Sequence, residues 1–274
     1  MKILICGTGK SGTTAIAYAV QAVFKGHSII FEPKTLTSLN YQEENFIVKS
    51  LNIIQNKLWQ DEQSYILRFE KKIMIIRHPF DTIISFLLYD PFNRSQFDID
   101  KNVKIYIDAI KQETHKENNR NISQVIKCYK KVVGLDVTKV ILPWYKGITK
   151  VIENQSLDFF VFKYEDFVEG RLEGINGYLG VDNFTNQIKV DSKYSRVARS
   201  KKHSDWKNWF SQQDIKEIKP YFSDFLEKFN YETNWGDSLG AIDPNTSYLY
   251  TINVINEKRK RKGLKIYQDL KTFS

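Results

Sequence analysis

Cysteine, histidine and long apolar runs are all scarce in this chain. Its two cysteines, Cys6 and Cys128, are too few for a disulfide framework, which favours a reducing compartment. Two cysteines and four dispersed histidines show no metal-ligand spacing. No stretch approaches the roughly 20 apolar residues of a membrane span. The apolar run in the opening MKILICGTGKSG is too short for a signal peptide. These absences predict a soluble cytoplasmic protein without a transmembrane segment, compatible with peripheral membrane contact.

Apolar and basic residues are abundant instead. Hydrophobic residues make up 42% of the 274 positions, enough for a sizeable core in one large domain or two small ones. The 41 basic residues outnumber the 32 acidic ones and give a net charge of +9. Such a surplus fits an anionic cofactor, a polyanion such as nucleic acid, or an ordinary solvated surface.

Short apolar runs alternate with helical stretches along the chain. The runs KILIC, SIIFEP, KKIMIIRHP and LDFFVFKYED are predicted strands. TTAIAYAVQAVF and DTIISFLLY are predicted helices, the second with Asp81 placed to cap it. Two or three more helices are expected between residues 102 and 154. The alternation predicts an α/β fold, a three-layer sandwich with a central parallel sheet and helices on both faces.

In such sheets ligands bind beyond the carboxyl ends of the strands. The loop at residues 7–14, Glu32 and Arg77 all follow predicted strands, so we expect them to meet in one crevice. The segment YDPFNRSQFDID at 89–100 lacks periodicity and is predicted to be a mobile loop near the site. Residues 241–274 contain EKRKRKGLK and are predicted to be a basic C-terminal extension to a main domain at 1–240. We interpret this extension as a solvated tail, with docking of an anionic acceptor as the alternative.

The segment GTGKSGTT at residues 7–14 resembles the ATP-binding phosphate loop, but its lysine is displaced. In G-x-x-x-x-G-K-[ST] the lysine follows the second glycine, where this chain has Thr13, whereas Lys10 lies inside the loop. A strand, a glycine loop and a helix N-terminus present N–H groups and a positive helix end to an anion. Thr13 and Thr14 add hydroxyl donors. A plain glycine turn with an exposed Lys10 is the alternative.

The segment IIRHPFDTIISF supplies a second candidate anion site. Arg77 ends a predicted strand, and Ser85 lies eight residues further along, in the first turns of the next helix. An arginine fork and a nearby hydroxyl suit a second phosphate. An arginine paired with an acid, and a serine on a helix face, would give the same pattern.

Four segments in order resemble the sulfotransferase family. KSGTT at 10–14 is similar to its first signature, and RHPFDTIIS at 77–85 to its R-x-P-x-D-x-x-x-S motif. FKYED at 162–166 is similar to the family strand ending in Y-E-D, and RSKKHSDWKNWF at 199–210 to the segment R-K-G-x-x-G-D-W-K-N. The resemblance spans roughly residues 1–235. It implies a P-loop NTPase-like fold that uses 3′-phosphoadenosine 5′-phosphosulfate (PAPS) as co-substrate, without a metal.

The resemblance also assigns contacts to PAPS. It implies that the 10–14 loop binds the 5′-phosphosulfate, that Arg77 and Ser85 bind the 3′-phosphate, and that Tyr164 lies near the adenine. The fourth segment has Ser200 and Lys201 in place of Lys-Gly, so Lys201 or Lys202 is expected to join Arg199. The full set of implied cofactor contacts is Lys10, Ser11, Gly12, Thr13, Thr14, Arg77, Ser85, Tyr164, Arg199, Lys201 and Lys202. Trp206 and Trp209 are expected in the core rather than over the adenine.

The expected chemistry is an in-line transfer of a sulfuryl group to an acceptor hydroxyl, with an amine as the alternative. Lys10 is expected to stabilise negative charge on the departing phosphate, and Ser85 completes the predicted catalytic set with Glu32. Branches of the family take the acceptor's proton with a histidine or with a glutamate. Glu32 is the favoured base, because burial in SIIFEP would raise its pKa. His27 is predicted to be solvated, and a structural carboxylate is the alternative role of Glu32.

The acceptor is less narrowly defined than the cofactor. Residues 86–155 lie where the family varies its acceptor surface, and they fit a sugar, a phenol or a peptide. A glutamate base favours a glycan or lipid-linked sugar, so the expected partner is a small-molecule or glycan acceptor and no nucleic acid. Three alternatives stay open: an ATP-dependent kinase, which Thr13 disfavours, a polyanion or nucleic-acid binder, and a cofactor-binding protein without catalysis.

Overall fold

One parallel sheet organises the computed structural model, which describes residues 1–116, 120–232 and 240–267, without the side chains of residues 193 and 195. The strands in these residues are β1 (Lys2–Gly7), β2 (Ser28–Phe31), β3 (Phe46–Ser50), β4 (Lys71–Ile76) and β5 (Phe160–Lys163). Their order is β2-β3-β1-β4-β5, and every neighbouring pair is parallel. The predicted fold class, an α/β protein with helices around a central parallel sheet, is confirmed.

Helices lie between these strands in the sequence and continue after β5. The α-helices in the described residues are α1 (Thr13–Val23), α2 (Asn52–Gln55), α3 (Leu58–Asp61), α4 (Gln63–Ile66), α5 (Pro79–Tyr89), α6 (Asp100–His115), α7 (Ile122–Val133), α8 (Val137–Glu153), α9 (Tyr164–Glu169), α10 (Glu173–Leu179), α11 (Gln212–Ile218), α12 (Ser223–Lys228) and α13 (Tyr248–Arg261). Short 3₁₀ turns lie at Asp90–Asn93, Ser95–Asp98, Gln155–Leu157, Ser192–Val197, Asp205–Asn208, Lys219–Tyr221 and Pro244–Thr246. Within the described ranges, every helix is too short or too polar to cross a membrane.

The chain divides into two compact units, and the whole sheet belongs to the first. Unit 1 comprises Met1–His78 and Pro143–His203, and unit 2 comprises Pro79–Leu142 and Ser204–Ser274. In unit 1, β1 and β4 are buried along almost their full length. Because both faces of a covered parallel sheet are hidden from water, its central strands are continuous apolar runs such as KILIC.

Aromatic side chains form much of the core of unit 2. The ring of Phe80 stacks on Phe210 with centroids 4.6 Å apart and meets Trp206 edge-on at 5.5 Å. Trp206 and Trp209 are 2% and 1% exposed, so the prediction that both tryptophans belong to the core is confirmed. Such edge-to-face and offset pairs add to the stabilisation from buried apolar area.

Two features of the sheet differ from the prediction. β3 is absent from the predicted strands, although FIVKS is a short run that begins with three apolar residues. β5 ends at Lys163, so Tyr164 opens α9 instead of ending a strand. The helices α6, α7 and α8 agree with the two or three helices expected between residues 102 and 154.

Two regions predicted to be loose are folded. Residues 89–100 form two 3₁₀ turns, and the buried Asp90 accepts a hydrogen bond from the Tyr129 hydroxyl, so the predicted mobile loop is wrong. The predicted solvated tail is also wrong for residues 241–267, because α13 buries Ile252, Val254 and Ile255 in unit 2. Residues 268–274 of that predicted extension lie outside the described residues. The domain boundary after residue 240 stays a prediction.

Candidate active site

The strand order brings the loops after β1 and β4 together. From β1 the chain continues to β2 and β3 on one side, whereas from β4 it continues to β5 on the other. Where connections leave adjacent strands in opposite directions, a crevice opens at their carboxyl ends, and ligands bind there. Arg77, directly after β4, donates from Nη1 to the Lys10 carbonyl oxygen at 2.8 Å in the loop after β1. The expected meeting of these two segments is therefore observed.

The loop between β1 and α1 is a tight turn. Lys10 and Gly12 have left-handed backbone conformations, with φ of 70° and 87°. The buried Ser11 hydroxyl donates to the Thr8 carbonyl oxygen at 2.8 Å and closes the turn. Thr13 and Thr14 are the first residues of α1, as predicted, and no side chain of the described residues caps this helix N-terminus. Its first N–H groups and the positive end of the helix dipole suit an anion.

Tyr164 joins this loop to Arg77. A Cβ atom placed on Gly12 would lie 2.2 Å from Cδ2 of the Tyr164 ring, so only glycine fits beside this ring. The guanidinium of Arg77 lies 4.5 Å from the centroid of the same ring, within the range of a cation–π contact. Three of the four family-like segments thus meet within unit 1. The role of Tyr164 beside an adenine stays a prediction.

Lys10 lies among other cations. Its ammonium donates to the Val197 carbonyl oxygen at 3.0 Å. The charges that act on it are those of Arg77, Arg199, Lys49 and Arg196. Burial first, and then these positive charges, lower the pKa of Lys10 well below its ordinary value. An anion placed here would relieve the mutual repulsion of the cations.

The segment 196–202 reaches the loop in a way that is only partly predicted. Arg199 acts electrostatically on Lys10, in keeping with its assigned place beside the cofactor. Lys201 and Lys202 expose their side chains, and Lys202 meets Arg77 through its backbone carbonyl oxygen, 3.4 Å from Nη2. Cofactor contacts of these two ammonium groups stay predictions. Arg196 is a site residue that sequence reasoning misses, because it lies outside all four family-like segments.

Glu32 occupies the carboxyl end of β2, as predicted, but not in the predicted environment. Its side chain is 37% exposed, so the predicted burial of Glu32 is wrong. One carboxylate oxygen forms an ion pair with Lys49, and the other accepts the Leu51 N–H at 2.8 Å. Sequence reasoning misses Lys49 together with β3, although a lysine at the end of an apolar run is a recognisable signal. The role of Glu32 as a base stays a prediction.

His27 lies at the opposite edge of the sheet from Lys10. It precedes β2, and its Nε2 lies 3.1 Å from the Met1 carbonyl oxygen, just before β1. All strands are parallel, so their amino ends share one edge and the crevice lies at the other. His27 is therefore poorly placed to act as the base.

The remaining family-like residues belong to unit 2. Ser85 is buried in α5, with 3% exposure, and its predicted contact with a phosphate stays a prediction. Asp81, predicted to cap α5, instead lies inside its first turn, where it accepts the N–H groups of Ser204 at 2.7 Å and Trp206 at 3.1 Å. This buried carboxylate thereby joins α5 to the middle of the fourth segment. Among the described residues, no group of three His, Cys, Asp or Glu side chains is placed to hold a metal ion.

Comparisons with known proteins give a structural likeness at low sequence identity. No protein-family model matches the chain, and no curated protein matches it significantly. Among solved structures it is similar to the mouse sulfotransferase SULT7A1 complexed with PAP. The identity is 17% and the TM-score is 0.45, with 82% of this chain and 84% of that chain covered.

Proposed function

We propose that this chain is a sulfotransferase that moves a sulfuryl group from PAPS to an acceptor hydroxyl. One observation carries the proposal: the cations that act on Lys10 gather at the carboxyl edge of a parallel sheet, around a glycine loop. Like charges this close repel one another, so the arrangement favours a ligand with several negative charges. PAPS has two separate anionic groups, the 5′-phosphosulfate and the 3′-phosphate.

The residues present fit those two groups. The left-handed turn at Lys10 and Gly12, with the uncapped start of α1, suits the 5′-phosphosulfate. Arg77 and Arg199 suit the 3′-phosphate, since a guanidinium binds phosphate oxygens with two parallel hydrogen bonds. The order and spacing of the four family-like segments support PAPS over ATP, because Thr13 stands where an ATP-binding loop has its lysine.

When bound, PAPS supplies a sulfuryl group activated by its bond to a phosphate. The Lys10 ammonium then counters the negative charge on the oxygen of the departing phosphate. Arg77 is held by the Lys10 carbonyl oxygen and the Tyr164 ring, so its guanidinium keeps one orientation. Glu32 takes the acceptor's proton in this proposal, with its carboxylate oriented by Lys49 and the Leu51 N–H. The acceptor class that we propose is a glycan or lipid-linked sugar.

Calorimetry with 3′-phosphoadenosine 5′-phosphate, beside AMP and ATP and without magnesium, tests the proposal. The bisphosphate is expected to bind about ten- to a hundredfold tighter than AMP, because AMP lacks the group that would form charge-assisted hydrogen bonds with Arg77. Equal affinity for the bisphosphate and AMP would overturn the proposal. Preference for ATP that requires magnesium would point to a kinase instead.

Arg68→Ala is a matched control for Arg77→Ala. The Arg68 guanidinium lies 4.9 Å from the Tyr65 ring centroid, much as Arg77 lies over Tyr164, but Arg68 precedes β4 at the opposite edge of the sheet. Arg77→Ala is expected to abolish the preference for the bisphosphate, and Arg68→Ala to keep it. Transfer of labelled sulfate from PAPS to a panel of sugars, phenols and peptides then identifies the acceptor. Lys10→Ala should lower that turnover about a hundredfold or more.

A further inference from the structure

A basic surface with exposed aliphatic side chains lies at the end of α13. This surface, the α13 basic patch, consists of Ile99, Lys260, Lys262, Leu264, Lys265 and Ile266. Ile99, Leu264 and Ile266 are 56%, 36% and 38% exposed, which makes them three of the most exposed large apolar residues in the described chain. Six cations between residues 258 and 265 meet the three carboxylates of Asp98, Asp100 and Glu257, a surplus of three positive charges.

Ion pairs hold this patch in place. Lys258 and Lys262 bind the Asp98 carboxylate at 2.8 and 2.6 Å, and Arg259 binds Asp100 at 2.7 Å. Although burial opposes the effect, the hydrogen bonds from the two lysines hold the pKa of Asp98 below its ordinary value. Ile99 lies between the two aspartates in the sequence, so its backbone is held next to the basic segment.

The residues after α13 are tied back onto the helix. Arg259 donates from Nε to the Lys265 carbonyl oxygen at 2.6 Å, and its own carbonyl oxygen accepts the Leu264 N–H at 2.9 Å. Asn256 and Tyr267 exchange two hydrogen bonds, each of 2.9 Å. Leu264 and Ile266 are therefore presented to solvent on an ordered turn. Keeping aliphatic groups in water on a fixed scaffold is unfavourable unless something covers them.

We propose that the α13 basic patch docks on the surface of an anionic lipid membrane. Its cations would lie against the headgroups, and its three aliphatic side chains would enter the boundary between headgroups and acyl chains. The charge surplus complements an anionic leaflet. Aliphatic side chains distinguish this occupant from a nucleic acid, whose phosphates offer them no apolar surroundings. The inference goes beyond the sulfotransferase proposal and does not depend on it.

Flotation of the full chain with vesicles tests this inference. One set of vesicles contains phosphatidylcholine alone, and the other contains phosphatidylcholine and phosphatidylserine in equal parts. The protein is expected to float only with the second set, and less of it at high salt, because salt screens the attraction. Absence of binding to the anionic vesicles would overturn the inference, as would binding of RNA through this patch without vesicle binding.

Paired variants locate the contact. Lys260→Gln with Lys265→Gln should weaken partitioning about thirtyfold, since each basic residue near the surface contributes about fivefold. Leu264→Ser with Ile266→Ser should also weaken it, at unchanged charge.

The matched control is Lys139→Gln with Lys216→Gln, which removes two exposed lysines from α8 and α11 in the same unit. This control should bind like the original chain, and thermal unfolding checks that every variant is folded. If the two double lysine variants lost vesicle binding equally, the binding would depend only on net charge, and the inference would be overturned.

Discussion

Lys10 keeps an ammonium group where both its burial and its neighbours oppose the charge. The lowered pKa is a property of the protein without an anion, because Arg77, Arg199, Lys49 and Arg196 then repel the ammonium. A lysine with a lowered folded-state pKa destabilises the fold when it is charged. This cost is complete below the lowered pKa, and it disappears as pH rises from there toward the ordinary value of about 10.4.

A bound anion raises the pKa of Lys10 again, so binding of the anion should be coupled to uptake of a proton. Between the lowered pKa of Lys10 and about 10.4, we predict that 3′-phosphoadenosine 5′-phosphate binds with uptake of a proton, and that affinity falls as pH rises. Calorimetry in buffers with different ionisation enthalpies measures the uptake, since the observed heat then varies with the buffer. Lys10→Met should remove the dependence on buffer. Heats that are equal in all buffers across that window would contradict the prediction.

Gly12 is required by its neighbour as well as by its backbone. We predict that Gly12→Ala destabilises the protein by about 3 kcal/mol, of which about 1 kcal/mol is backbone strain and the rest is overpacking against Tyr164. Gly180→Ala is the control, because Gly180 has a φ of 71° but open space where a Cβ would lie. Gly180→Ala should be destabilised by the backbone strain alone, about 1 kcal/mol. Urea denaturation midpoints compare the two variants. Equal losses of unfolding free energy would show that the contact with the Tyr164 ring does not destabilise Gly12→Ala.

Some residues of the candidate site lie in recognisable sequence segments, and others do not. Lys10, Arg77, Tyr164 and Arg199 are predictable, because each lies in a segment whose spacing resembles a known phosphosulfate site. Lys49 and Arg196 are not predictable from those segments. Their place beside Lys10 depends on the insertion of β3 between β1 and β2 and on the path of residues 192–197, both set by tertiary structure.

At the scale of elements, Asp81 joins α5 to the 3₁₀ turn that contains Trp206. We predict that Asp81→Ala lowers the free energy of unfolding by about 3 kcal/mol, because two N–H groups that depend on its carboxylate lose their acceptors. Asp81→Asn should lose less, since its amide oxygen still accepts. Tryptophan fluorescence follows the transition, with Trp206 and Trp209 as local probes.

Asp224→Ala is the control for this element. Asp224 is exposed in the first turn of α12, in the same unit, and its loss should cost less than about 1 kcal/mol. Equal unfolding free energies for Asp81→Ala and Asp224→Ala would contradict the prediction that the two hydrogen bonds of Asp81 stabilise the contact between these elements.

Long and strongly apolar elements are the ones the sequence predicts well. β1, β4, α1 and α5 are such elements, and all four form where expected. β3 is missed because it has five residues, one of them a charged lysine. The charge run in α13 is misjudged because Lys258 and Arg259 are buried against Asp98 and Asp100, partners that are far away in sequence. Local composition carries no information about such partners.

At the scale of the whole molecule, two clusters of positive charge are associated with the two proposals. One concentration surrounds Lys10 in unit 1, and another is the α13 basic patch in unit 2. We propose a ligand for each cluster, a small anion for the first and an anionic membrane surface for the second.

The position of β1 has a consequence for how the chain is made. β1 is the first of the described strands to leave the ribosome, yet it lies at the centre of the sheet, between β3 and β4. The nascent segment KILIC therefore stays unpaired until β3 has been translated, and its second edge stays open until β4 ends at Ile76. Because every pairing in the sheet is parallel and non-local, this waiting period precedes any sheet formation. Translation speed and chaperone access to the first strand should then govern the yield of active protein more than the final stability does.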